Sequence, residues 1–221
     1  MMMRKTLITI FIMLCSVGSF GQSAERFFDA ESKLSNAQLC DTLLKQAAVN
    51  IEKQQWDYAI EKYGKVLEID DKNLAARYFR AYAHTKLHHY DWAKSDYENV
   101  LKIVPKHLET QLGLAYVYEK MGKKRDAFDM YNRVVQQFPD SASAYAARAV
   151  YEQANNMAEV ALYDWEQAIS RNPSDTGYMI SRVELLITLG RKDEAREALD
   201  DMQRHGVTKG ELLKWYKKVK K

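Results

Sequence analysis

Proline and cysteine are scarce in this chain: three prolines and two cysteines in 221 residues, with only nine glycines. So few helix breakers favour long helices over a loop-rich β fold. One cysteine, Cys15, lies in an apolar run near the start, which leaves Cys40 alone in the rest. A single thiol makes no internal disulfide, so packing must supply the stability. No charge sign dominates either, with 33 Lys and Arg against 30 Asp and Glu. That balance gives no global pull toward nucleic acid or an anionic membrane. The chain has no P-loop, no G-x-G-x-x-G and no G-x-S-x-G nucleophile elbow. Its carboxylates are scattered, and Pro173 spoils the nearest glycosylation acceptor at Asn172. No enzyme activity and no cofactor are expected. What is present, 47% apolar and 29% charged residues, is enough to build a core.

The first residues read as a leader. A short basic start (Arg4, Lys5) precedes a continuous apolar run from Thr6 to Val17, and Ser19 and Gly21 then have the spacing of a small-x-small cleavage site. This order of features predicts a signal peptide over residues 1–21, with Gln22 as the new terminus. A retained anchor would need about 20 apolar residues, more than the run supplies. Acylation at Cys15 would require Leu and two small residues ahead of it, where Met13 and Leu14 stand directly before the Cys. Cleavage leaves 31 basic against 30 acidic side chains and no membrane span. The expected compartment is a bacterial periplasm, with or without association with the envelope. Residues 22–39 form an N-terminal segment or linker.

The body of the chain repeats. Alanine recurs at 59, 93, 127, 161 and 195, each step being 34 residues with no insertion. Four residues after each comes Tyr63, Tyr97, Tyr131, Trp165 or Leu199, and three further on Val66, Val100, Val134, Ala168 or Met202. Spacings of four and three mark one face of an α-helix, and the small residue marks a close helix approach. Pro105, Pro139 and Pro173 end three of these helices. The segments 74–87, 108–121, 142–155 and 176–189 are the preceding helices, each with a small or β-branched residue at Ala81, Ala115, Ala149 or Val183. Gly122 and Gly190 follow two of them, where a left-handed cap is expected. Ser35 to Gln38 has the pattern of a capping box, which predicts an early start for the first helix.

A 34-residue helix–turn–helix unit with Ala, Tyr and Pro at these positions resembles the tetratricopeptide repeat (TPR). The resemblance covers five tandem copies, 40–73, 74–107, 108–141, 142–175 and 176–209. It implies an all-α fold, a right-handed α-α superhelix of helix hairpins, and a scaffold that binds protein or peptide without catalysis. Residues 210–221 follow with Leu212, Trp215, Tyr216 and Val219 at i, i+3, i+4 and i+7, the pattern of a capping helix, and carry a lysine-rich tail. The first helices diverge from the family: its usual Trp is replaced by Leu43, Arg77, Gln111, Tyr145 and Met179. Members that bind chaperone tails hold a carboxylate with a Lys, Asn and Arg clamp. The matching slots here carry Leu44, Ala48, Phe79, Glu109 and Gly113, so that clamp is absent.

Some charges have structural and functional readings side by side. Arg80 and Asp96, like Arg148 and Asp164, are sixteen residues apart, while the same two slots of the third copy are apolar (Leu114, Met130). Slots that change together predict a partly buried ion pair across each hairpin, weighed against a ligand role. Arg182 faces Ala198 in that scheme and is the unpaired cation expected to bind. The tail lysines are either the wet face of a cap or a dock for acidic partners. His84 and His88 are four apart, but His88 falls at a turn and no Cys or carboxylate completes a set, so no metal site is expected.

In such an array the first helices line a groove. By register its slots are Leu44 and Ala48, Tyr78 and Tyr82, Leu112 and Tyr116, Ala146 and Val150, Ile180 and Glu184, and nine of these ten are apolar or aromatic. If they are exposed they form an interaction surface; if the register is shifted they are core between hairpins. The expected partner-binding set is Leu44, Tyr78, Tyr82, Leu112, Tyr116, Val150, Ile180 and Arg182. The alternative is a structural component of an outer-membrane assembly or secretion complex, docked through its convex face or its basic C-terminal helix. Neither reading fixes an oligomeric state.

Overall fold

A computed structural model describes residues 35–220; the expected leader and most of the 22–39 segment lie outside the described residues. The described residues form eleven α-helices and no strand. They run as α1 (Asn36–Glu52), α2 (Trp56–Ile69), α3 (Leu74–Lys86), α4 (Tyr90–Ile103), α5 (Leu108–Lys120) and α6 (Lys124–Gln137). They continue as α7 (Ala142–Ala154), α8 (Ala158–Arg171), α9 (Thr176–Thr188), α10 (Lys192–Arg204) and α11 (Lys209–Lys218). Among the described residues no helix is long and apolar enough to cross a membrane.

Local chemistry sets the ends of these helices. Ser35 and Gln38 make the reciprocal capping box, so α1 starts at Asn36. Thr208 and Glu211 do the same for α11. Helices α4, α6 and α8 each stop two residues before a proline, at Ile103, Gln137 and Arg171. The turn inside each hairpin places one residue in the left-handed region: Gln54, His88, Gly122, Asn156 and Gly190, at φ 56°, 61°, 73°, 63° and 75°. Only two of these are glycine. In every case the next amide donates to a carbonyl five residues back, as from Lys123 to Tyr118 and from Arg191 to Leu186 (both 2.9 Å), which satisfies an orphan acceptor at the helix end.

Packing divides the chain between Ala76 and Arg77, inside α3. In the first unit α1 packs on α2, and Leu43, Ala47, Ala59, Tyr63 and Val66 are buried. In the second unit Ala81, Ala93, Tyr97, Leu114 and Val117 form one cluster, and Ala115, Ala127, Tyr131 and Tyr151 another. A larger cluster runs from Val134 to Val219 and takes in Leu199, Leu212 and Trp215. Across both units the ten small-residue slots, from Ala47 and Ala59 to Val183 and Ala195, are 0% exposed. Helix axes approach to about 8–10 Å only where such side chains meet, so these residues set the hairpin spacing. Gly113 serves the same end: a Cβ there would lie 2.7 Å from Cζ of Tyr97, so the ring lies directly against the α5 backbone.

Candidate functional site

The ion pairs form as the spacing predicts. Arg80 donates through Nε and Nη2 to both oxygens of Asp96 (2.7 and 2.8 Å), and Arg148 to both oxygens of Asp164 (2.6 and 2.8 Å). Both acids are buried. Arg148 also donates to Asn132 Oδ1 on α6 (2.9 Å), so one guanidinium ties α7 to α8 and to the preceding hairpin. In the third copy Leu114 and Met130 occupy these slots within one apolar cluster. Glu152 adds a second buried carboxylate, 3.7 Å from Arg148, whose Oε2 makes no hydrogen bond. Burial, then the charge of Asp164, pushes its pKa up to about 7.

Arg182 corrects the reading of an unpaired binding cation. Its Nε and Nη2 donate to Glu166 Oε1 on α8, at 3.1 and 2.8 Å. The partner lies sixteen residues before the arginine, as Asn132 does for Arg148. The slot sixteen residues after Arg182, in its own hairpin, holds Ala198 and offers no charge.

The other expected contact residues differ in exposure. In the first unit Leu44 is half-buried and Ala48 exposed on α1. In the second unit Tyr78 is half-buried, edge-on to Phe79 (5.0 Å between centroids) and tilted against Tyr97 and His107. Burial and the nearby Glu109 carboxylate raise its pKa, so the phenol stays a donor. Tyr82 is half-buried with Lys86 Nζ over its ring, and Tyr116 repeats this one copy later with Lys120, both 4.9 Å from the ring centre. Tyr116 is 41% and Val150 55% exposed, whereas Ala146 is buried and Leu112 packs half-buried between two clusters.

The last copy departs from the pattern because α11 lies on it. Trp215 Nε1 donates to Glu184 Oε1 (2.9 Å), and Ile180 lines a cavity of about 400 Å³ with Val207, Leu212 and Trp215. Both slots of that copy therefore face the cap helix. The open slots of the second unit lie on α3, α5 and α7. Phe79, at 40% exposure beside Tyr78, belongs with them. The repeat register marks it only as a slot of the missing clamp.

Residues 86–151 match the family model for the tetratricopeptide repeat. No curated protein matches the chain. Among solved structures, TTC0263, described as a thermophilic TPR protein in Thermus thermophilus, aligns over 81% of this chain and 98% of its own at 16% identity and a TM-score of 0.65. MamA from Desulfovibrio magneticus RS-1 aligns over 77% and 98% at 16% identity and a TM-score of 0.62. YrrB, described as a TPR protein with an unusual peptide-binding site, aligns over 72% and 81% at 18% identity and a TM-score of 0.51. At these identities the likeness concerns the fold. Residues 86–151 thus carry the tetratricopeptide repeat, and the chain shares the helix-hairpin fold of these TPR structures.

Proposed function

We propose that this chain is a non-enzymatic binding protein that holds a peptide segment or a partner protein against the exposed slots of α3, α5 and α7. The observation that carries this reading is the recurrence, at matching positions of successive first helices, of large side chains open to solvent, Tyr116 at 41% and Val150 at 55%, with the half-buried Tyr82 at the same position one copy earlier. Tyrosines suit such work because they add contact area and a hydrogen-bonding tip at little entropic cost. The peptide-binding description of YrrB supports the same class of activity. Tyr78, Phe79 and Leu112 complete the surface, and an apolar or aromatic segment fits it better than an acidic tail.

Export to the periplasm is part of the proposal and rests on the leader pattern of residues 1–21. Sequencing the mature N-terminus tests it, with Gln22 the expected first residue. For the groove, a photo-crosslinker at position 82 should capture the partner, whose affinity is then measured with purified components. Tyr82→Ala with Tyr116→Ala should abolish that affinity while leaving the melting temperature within a few degrees. Full binding by the folded double variant would overturn the assignment.

A second reading, docking of a structural component through other faces, draws on Trp92, Val160 and Tyr163, which are 68%, 50% and 56% exposed on second helices. It predicts binding that survives the tyrosine changes. Reversing Lys214, Lys217 and Lys218 to Glu tests the tail, because truncation would strip buried Leu212 and Trp215 from the core.

A further inference from the structure

The turn between α3 and α4 brings together two histidines that helical spacing does not pair. His88, four residues after His84, adopts the left-handed conformation at φ 61° and sends its ring to the Tyr90 hydroxyl (Nδ1 to Oη, 2.7 Å). The backbone then doubles back, and the amide of His89 donates to the carbonyl of His84 at 2.9 Å. That bond sets residue 89 over residue 84, with the two Nδ1 atoms 3.5 Å apart and the ring planes at 52°. The separation is long for a good hydrogen bond between rings. It matches another geometry better: two nitrogens bound about 2.0–2.1 Å from a tetrahedral ion stand about 3.3–3.4 Å apart. The half-buried His84 ring is also held in place by stacking on Trp92, at 6.1 Å and 22°. His89 is exposed, so the gap between the nitrogens is open to solvent.

We propose that His84 and His89 form a two-imidazole site for a divalent transition-metal ion, with water in the remaining positions. Both rings bind through Nδ1 and keep the proton on Nε2. Imidazole donors suit Cu²⁺, Ni²⁺ and Zn²⁺, with Cu²⁺ bound most tightly. No group of three or more His, Cys, Asp and Glu is assembled to hold a metal among the described residues, so the ion exchanges readily, unlike one in a four-ligand structural zinc site. Both oxygens of the neighbouring Asp96 are engaged by Arg80, and Arg77 stands 3.7 Å from one of them.

The test is titration of the full chain, free of any histidine tag, with Cu²⁺, read by tryptophan fluorescence and calorimetry. Saturable quenching at one ion per chain is expected, since Trp92 lies against a ligand ring. Outer-sphere partners alone carry about 10–100-fold of metal affinity, so His84→Gln or His89→Gln should weaken binding by at least about tenfold. His88→Gln should change nothing, and Trp92→Phe should remove most of the quenching while calorimetry finds the same affinity. In a thermal melt Zn²⁺ should raise the midpoint of the native chain and not that of His89→Gln, an exposed position whose fold is not at stake. Native affinity in His89→Gln, or no saturable Cu²⁺ binding by the native chain, would overturn the proposal.

Discussion

Hairpins α3–α4 and α7–α8 pair a half-buried arginine with a buried aspartate where hairpin α5–α6 uses Leu114 and Met130, on the same backbone frame. The comparison teaches that this pair of slots needs complementarity, not charge. An ion pair taken out of water gains little over an apolar pair of similar volume, whereas half of one is costly. Arginines on first helices, which invite a ligand-binding reading, are here parts of the frame. Arg182 belongs with them in kind but not in burial, since its partner Glu166 is 52% exposed.

The largest effect expected from this contrast is that of Asp164→Ala, which leaves Arg148 only Glu152 at 3.7 Å and the neutral Asn132 and should cost about 3 kcal/mol in chemical denaturation. Arg80→Leu with Asp96→Met copies the apolar solution into α3–α4 and should lie closer to the native stability than Asp96→Met alone; additive single effects would show that the two residues do not act together. Glu152 supplies the next effect. Its pKa is raised to about 7 in the folded chain, above an ordinary carboxylate, so its contribution is fully present at low pH and lost as pH rises through about 7. Stability read from urea melts should fall by about 1 kcal/mol from pH 6 to pH 8, and Glu152→Gln should flatten that slope. Arg182→Ala breaks a solvent-facing pair and should cost less than about 1 kcal/mol; a loss as large as that of Asp164→Ala would erase the distinction between buried and exposed pairs. The smallest change expected is a gain. Gln54→Gly removes a side chain from a left-handed turn and should stabilise by a few tenths up to about 1 kcal/mol, read as a raised melting midpoint.

The core of this fold was legible because it repeats. Small residues at Ala59, Ala93 and their counterparts report on burial through a register that five copies over-determine, and all are 0% exposed. The ion pairs were legible for the same reason, since copies that differ at two slots together expose a contact. What the register could not reach was the exception to it. The Glu166 partner of Arg182 lies in the preceding hairpin and not in the arginine's own repeat. Ile180 and Glu184 met the cap because a terminal copy has a different neighbour from an internal one. The left-handed turns at Gln54, His88 and Asn156 carried no glycine to mark them, although the register of Gly122 and Gly190 extends to all three. The approach of His84 to His89 followed from one such unmarked turn.

The seating of α11 has a consequence for how copies of this molecule can associate. It lies on both helices of the last hairpin, with its tryptophan hydrogen-bonded to Glu184. The face of the last hairpin that a further repeat would use is covered by α11. Stacking of a second molecule on this end would therefore require an undocking step that removes Leu212 and Trp215 from the core.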